Sequence, residues 1–311
     1  MRMPALLLGS LTAGLIGLNT LFWVLAFVPF ILLKLLPIPQ LRHFSSLALI
    51  RCAEIWVAGN SRILSLTPPI AWRVEGLEGL DPHASYLLIS NHQSWVDIFV
   101  LQHLFHGKIP FLKFFLKQQL IWVPLLGLAW WALDFPFMKR YSRAQLEKHP
   151  ELRGKDVETT RAHCQKFRQY PVTVINFLEG TRRTPAKQAK HAAQGSPYQH
   201  LLRPKAGGVA LVVAAMGDRL SAVLDVTIRY PGTDTQKLFW KLLSGKIPAV
   251  DVHIRSLPMP EGAAGRDYLS DPAYQQQMQD WVNQLWADKD ALIAARLAST
   301  QSAPADLSSV T

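Results

Sequence analysis

The 311-residue chain contains no Gly-x-Ser-x-Gly elbow, and its ten histidines never fall into a His-x3-His pattern. The first absence argues against a serine lipid hydrolase. The second leaves no metal site to propose. Cysteine is scarce. Only Cys52 and Cys164 occur, without metal-ligand spacing or a disulfide framework, which fits a reducing compartment. Acid is in deficit: 22 Asp and Glu stand against 33 Lys and Arg, a formal net charge of +11. Such a balance implies an anionic partner, and nucleic acid, an anionic membrane surface or a phosphorylated substrate would serve. No dense Lys/Arg tract, zinc-finger or RNP-like motif is present, so no nucleic-acid partner is expected.

The longest gap is in charge. From Pro4 to Leu33 no charged residue occurs, where about 20 apolar residues suffice to span a bilayer. A secretory signal would be shorter and would end at a small-residue cleavage site. Here the run continues through Phe27–Leu33 and Lys34 closes it, so a retained anchor is expected. Lys34, Arg42 and Arg51 follow the run and only Arg2 precedes it, which puts the rest of the chain on the cytoplasmic side. Pro29 leaves a bent or re-entrant path open.

Residues 1–66 read as the anchor followed by an amphipathic helix over Phe44–Leu66, residues 67–300 as the main domain, and 301–311 as a polar tail. Strands are expected at Ala71–Glu75, Tyr86–Ser90, Pro110–Phe115, Val172–Phe177, Ala222–Arg229 and Val250–Arg255. Helices are expected at Trp95–Phe105, Asp156–Gln169, Gly208–Ala215 and Pro272–Leu297. This alternation predicts an α/β layered domain with a mixed central sheet flanked by helices. Leu120–Leu133 is very apolar but interrupted by Pro124 and Gly127; a second span and a buried or membrane-facing helix are both open. Ala186–Ser196 and Pro231–Gln236 read as excursions between elements.

Two stretches carry chemistry. Asn91-His92-Gln93-Ser94-Trp95-Val96-Asp97 lies where a strand hands over to a helix. An imidazole whose tautomer is fixed by a carboxylate can act as a general base near neutral pH. A continuous helix would hold His92 and Asp97 well apart around its axis, so His92 must precede the helix and Asp97 must sit in its first turn. Ser94-x-x-Asp97 also fits a capping box, in which Asp97 would serve only the helix start. The second stretch follows the strand Val172–Phe177: Leu178-Glu179-Gly180-Thr181-Arg182-Arg183. An arginine there can grip a phosphate through a bidentate fork, and Gly180 lets backbone approach a ligand. Glu179 would hold the arginine or the loop. A solvated surface turn is the alternative.

Taken together, Asn-His-x4-Asp (an HX4D motif) and Phe-x-Glu-Gly-Thr-Arg resemble the glycerolipid acyltransferase family, in particular the lysophosphatidic acid acyltransferases. Lys117-Gln118-Gln119-Leu120-Ile121-Trp122-Val123-Pro124-Leu125-Leu126-Gly127 resembles that family's second block, which ends in a basic pair, here Lys139-Arg140. The blocks occur in family order between about Ala71 and Tyr230. The closest branch holds a bacterial inner-membrane acyltransferase and the lysocardiolipin acyltransferases. Departures are Gln119, where the family commonly has an acid, and the lack of proline in Ala214–Val223.

The resemblance implies an O-acyltransferase of the bacterial inner membrane, with its catalytic domain on the cytoplasmic side. It would move an acyl group from a thioester, acyl-coenzyme A or acyl-carrier protein, to the free hydroxyl of lysophosphatidic acid or a related lysophospholipid. No cofactor and no metal are implied. His92 would be the base and Asp97 its partner. Glu179, Gly180, Thr181 and Arg182 would bind the lysolipid, with Lys117 and Arg140 as further phosphate holders or plain surface charges. An acyl tunnel is expected through Leu120–Leu133, with Gly127 facing it. Lysophosphatidylglycerol, lysocardiolipin and glycerol phosphate are alternative acceptors. A membrane scaffold without catalysis would not need His92, Asp97 and Arg182 together.

Overall fold

The structure is a computed structural model that describes residues 3–139, 148, 155–168, 170–266, 268 and 270–302. Helix α1 (Ala5–Leu35) runs through Pro29 as one element, and it is long and apolar enough to cross a membrane. Most of its leucines face outward, while Val24, Phe27 and Ile31 are buried. Helix α2 (Pro39–Leu64) opens on a proline at its first turn, earlier than the expected Phe44. Polar groups lock the pair. The Asn19 side chain donates to the Trp56 carbonyl (3.0 Å) and to Asn60 Oδ1 (2.9 Å), and the Trp56 indole donates to Thr20 Oγ1 (3.1 Å). A Cβ on Gly59 would meet Asn19 at 2.8 Å, so the glycine permits this close approach.

Strands β1 (Ala71–Glu75), β2 (Ser85–Ser90), β3 (Leu112–Phe114), β6 (Thr173–Phe177), β7 (Leu220–Arg229) and β8 (Ala249–Leu257) form one sheet in the order β1-β8-β7-β2-β6-β3. All neighbours are parallel except β7 and β8, so the sheet is mixed, as the sequence predicts. Short strands β4 (Leu116–Lys117) and β5 (Phe137–Met138) pair separately.

Side chains alternate across the sheet, as a period of two requires. Tyr86, Leu88, Leu224, Val226 and Ile228 point into a core shared with α1, α2 and α3 (Val96–Phe105). Leu87, Ile89, Val174 and Val223 point the other way, against α5 (Lys155–Phe167), α7 (Gly207–Met216) and α9 (Pro272–Ser302). Buried Lys289 of α9 donates to the Val226 carbonyl (2.6 Å) and Thr227 Oγ1 (3.0 Å), and it pairs with Asp225 (2.7 Å).

The apolar run at Leu120–Leu133 is not a second span. A 3-10 turn (Gln118–Trp122) gives way to a seven-residue helix, α4 (Leu126–Ala132), too short to cross a bilayer. Leu125, at φ 65°, separates the two. Gly127 does not face a tunnel, because a Cβ there would lie 2.0 Å from the Ile121 carbonyl oxygen. Its role is to let α4 fold back on the turn. Ala129 and Ala132 face inward, while Trp122 (85 % exposed), Leu125, Leu128 and Trp131 face outward. Lys34 ties the end of α1 to this region, donating to the Ala132 carbonyl (2.8 Å) and Asp134 Oδ2 (2.5 Å).

Two helices are not among those expected from the sequence. They are α6 (Pro185–Ala193), which overlaps the excursion expected at Ala186–Ser196, and α8 (Leu238–Leu243), which follows the one expected at Pro231–Gln236. Of the expected polar tail, Gln301 and Ser302 belong to α9, and the remainder lies outside the described residues.

Candidate active site

Strands β7, β2 and β6 are adjacent and parallel, so their C-terminal ends converge on one edge of the sheet. Open α/β sheets bind ligands at that edge. Strand β2 delivers Asn91 and His92, β6 delivers Phe177 to Arg182, and β7 delivers Tyr230.

His92 lies just before α3 and Asp97 in its first turn. His92 Nδ1 is 2.8 Å from Asp97 Oδ2. The carboxylate oxygen accepts, so Nδ1 carries the proton and Nε2 is left bare. Asp97 is fully buried, and its Oδ2 also accepts from the backbone N–H groups of Gln93 (2.6 Å) and Ser94 (2.8 Å). The capping and catalytic readings of the sequence therefore describe the same carboxylate. Ser94 Oγ accepts from the Val96 N–H at 3.3 Å. The His92 ring stacks on Phe177, with centroids 4.0 Å apart and planes 18° from parallel, which fixes the direction of Nε2.

Sequence reasoning missed the fourth donor to Asp97. Tyr230, buried at the end of β7, donates its hydroxyl to Asp97 Oδ1 at 2.6 Å. Burial first, then the Asp97 charge and hydrogen bond, raise this phenol well above its ordinary range and keep it a donor. One signal was available: Tyr230 sits at a strand-to-loop handover like that of His92, before Pro231. Asn91, at the same strand exit, has a structural role. Its side chain donates to the Ile228 carbonyl (3.0 Å) and accepts from the Ile228 N–H (2.9 Å), which clamps the β2 exit to β7.

The two motif loops are stitched by backbone. The Arg183 N–H donates to the His92 carbonyl at 2.7 Å, and the His92 N–H donates to Glu179 Oε1 at 3.2 Å. Glu179 thus holds the His92 loop; Arg183 acts on it electrostatically, and Glu179 in turn acts on buried Lys289. Burial pushes the Glu179 carboxyl up to about 8, against the His92 hydrogen bond and the Arg183 charge, which lower it. Gly180 adopts φ +65° in the turn closed by its N–H on the Phe177 carbonyl (2.9 Å), a conformation that suits glycine. Lys187 of α6, also missed, donates to Thr181 Oγ1 and to the Arg182 carbonyl (3.1 Å). Exposed Arg182 lies 5.5 Å from the Trp95 ring.

Lys117 is exposed on the β4–β5 ribbon, opposite Met138. Among the described residues, no hydrogen bond or ion pair joins it to His92, Asp97 or Arg182. Arg140 lies outside the described residues.

The Acyltransferase family model matches residues 71–230, just over half of the chain and the stretch that holds this whole site. The chain belongs to the glycerolipid acyltransferase family. It is similar to human 1-acyl-sn-glycerol-3-phosphate acyltransferase gamma, 29% identical over 194 residues that cover 60% of this chain and 46% of the relative. The human delta relative is 25% identical over 262 residues, covering 81% of this chain and 61% of its own. The chain therefore spans about half to three-fifths of the length of these curated relatives. The fold matches the crystal structure of the 1-acyl-sn-glycerophosphate (LPA) acyltransferase PlsC from Thermotoga maritima, with TM-score 0.55 and 16% identity over 94% of this chain and 98% of that one.

Proposed function

We propose that this family member transfers a fatty acyl group from a thioester to the free hydroxyl of lysophosphatidic acid or a related lysophospholipid. The observation that carries this reading is the 2.8 Å contact of His92 Nδ1 with buried Asp97 Oδ2. It leaves Nε2 as the base. Nε2 takes the acceptor's hydroxyl proton while the oxygen attacks the thioester carbonyl. The C–S bond then breaks, and the departing thiolate takes the proton back from the imidazolium. Asp97 steadies the charged ring in between. No step requires a serine or cysteine nucleophile.

Arg182 holds the lysolipid phosphate in this scheme, with Glu179, Gly180 and Thr181 shaping the loop that presents it. Lys117 and Arg140 are further candidates for the lysolipid phosphate. Helix α1 anchors the chain in a bacterial inner membrane, with the sheet on the cytoplasmic side, and the outward Trp122, Leu125, Leu128 and Trp131 meet the same lipid. In this scheme the end of the acyl chain enters a small apolar cleft between α1, α2, β3 and α4, lined by Val24, Phe27, Ala53, Phe114, Ala129 and Leu133.

The test is a panel of lysolipids offered to the membrane-bound protein with acyl-coenzyme A and with acyl-carrier protein, products being read by mass spectrometry. A diacyl product from lysophosphatidic acid is expected. Product only from another lysolipid or glycerol phosphate would move the acceptor, and no product from any acceptor would end the reading.

A further inference from the structure

Between Glu179 and Asp218 the chain carries Arg182, Arg183, Lys187, Lys190, Arg203 and Lys205, and no Asp or Glu. The fold gathers these charges beside the site. Lys187 braces the Thr181–Arg182 turn. The Lys205 amino group lies 3.6 Å from where a Cβ on Gly180 would stand, and the Lys205 N–H donates to the Leu178 carbonyl at 2.8 Å. Arg203 closes the end of α6, donating to the Gln194 (2.8 Å) and Gly195 (2.6 Å) carbonyls. His191 is lowered by burial first, then by the charges of Arg203, Lys190 and Lys205, so three cations bear on one spot. Lys190 and Lys205 are exposed, and among the described residues neither side chain has a hydrogen-bond or ion-pair partner.

This patch lies on the side of the sheet away from the anchor. Gln188 of α6 donates to the Tyr198 and Gln199 carbonyls, and Tyr198 and Leu201 belong to the core facing α5, α7 and α9. Helices α1, α2 and α4 pack against the opposite core. A bilayer gripped by α1 therefore meets the other face. The patch is also open rather than concave, since α6 has no buried residue. The groove beside Arg203 is lined by Asp280 and Asp290, so an anion of any kind is favoured on exposed Lys190 and Lys205 and not inside that groove. A broad basic face turned to water fits an acidic folded partner.

We propose that α6 and the Arg203–Lys205 turn form the docking face for an acidic acyl-carrier protein. Its phosphopantetheine arm brings the thioester to His92 from the water side, while the lysolipid arrives from the bilayer side. This inference rests on the acyl-transfer reading and names the carrier of the donor.

The test is the full-length Lys190→Glu/Lys205→Glu variant, compared with the unaltered protein using one acceptor and two donors. KM for the acyl-carrier protein should rise about tenfold or more, and kcat/KM with acyl-coenzyme A should change less than about twofold. Raising salt from about 0.05 to 0.3 M should weaken carrier use in the unaltered protein and much less in the variant. Equal losses with both donors would overturn the proposal in favour of a phosphate site, as would no loss with either. Loss of binding to anionic vesicles, with both donors unaffected, would make the patch a membrane contact instead. The milder Lys190→Gln/Lys205→Gln pair guards against misfolding and should show a smaller shift in the same direction. Fluorescence anisotropy of a labelled acidic carrier protein on the detergent-solubilised enzyme reads docking without turnover. Binding that is absent, or unchanged by charge reversal, would overturn the docking face even if acyl transfer itself were established. Absence of turnover from both donors, with carrier binding intact and charge-dependent, would instead count against the acyl-transfer reading.

Discussion

The Tyr230 hydroxyl donates to Oδ1 of Asp97 at 2.6 Å, while Oδ2 of the same carboxylate meets His92 Nδ1 at 2.8 Å. Tyr230 thus draws part of the Asp97 charge away from the ring. In Tyr230→Phe more of that charge is shared between His92 and the Gln93 and Ser94 N–H groups, and the imidazolium becomes easier to form. The acid limb of kcat/KM should move to higher pH, and kcat should drop about tenfold, the scale of a lost hydrogen bond to a charged group. A purely structural role would lower stability without moving that limb. A pH–rate series beside a thermal melt distinguishes the two.

His92→Ala should reduce acyl transfer by about 10²–10⁴-fold, the usual contribution of a positioned base. Asp97→Asn should also lose activity, because an amide can donate to Nδ1 and favour the wrong tautomer. Circular dichroism and membrane fractionation should show His92→Ala folded and anchored. Turnover within twofold of the unaltered protein would remove His92 from the mechanism.

Arg182→Ala should raise KM for the lysolipid by about 10- to 100-fold, equivalent to about 1.5–3 kcal/mol for a charge-assisted contact. KM for the thioester should change little. Its stacking partner Trp95 offers a check on positioning, since Trp95→Ala should weaken lysolipid use by a smaller factor. Parallel losses for donor and acceptor would mark Arg182 as a loop-shaping residue.

Glu179 makes a prediction about stability. Its carboxyl titrates at about 8 when folded, against an ordinary value of 4.5. Below pH 4.5 both folded and unfolded forms hold the proton, so pH has no effect there. Between 4.5 and 8 the unfolded chain releases it while the folded one keeps it, so the native state loses ground as pH rises. Glu179→Gln does not titrate. The difference in melting temperature between variant and unaltered protein should shift in favour of the variant from pH 5 to pH 8 and then level off. A pH-independent difference would mean that the buried acid is not protonated.

Ala129→Phe should narrow the cleft between α1 and α4 and shift acyl preference toward shorter chains, as read by competition between donors of different length. Gly127 is the wrong probe, because any side chain there strikes the Ile121 carbonyl and unfolds the turn.

The two motif loops were legible because their meaning is local. His92 and Asp97 are separated by four residues, and the strand-to-helix handover between them follows from apolar runs on either side. The α6 helix carries local signals too: Thr184 caps it and Pro185 opens it, followed by strong helix formers. Helix α8 left no such mark, being one short apolar run without a readable period.

Residue order alone was enough to mark the long apolar N-terminal helix, the alternation of strands and helices, and the placing of an imidazole and an acid around a helix start. Each depends on neighbours within a few positions. Which side chains complete the site depended on folding. Tyr230 reaches Asp97 across 133 positions because β7 lies next to β2, and α6 is tied through Gln188 to Tyr198, whose ring belongs to the core opposite α1. Strand order and the choice of face are properties of packing between distant segments, and no local pattern encodes them.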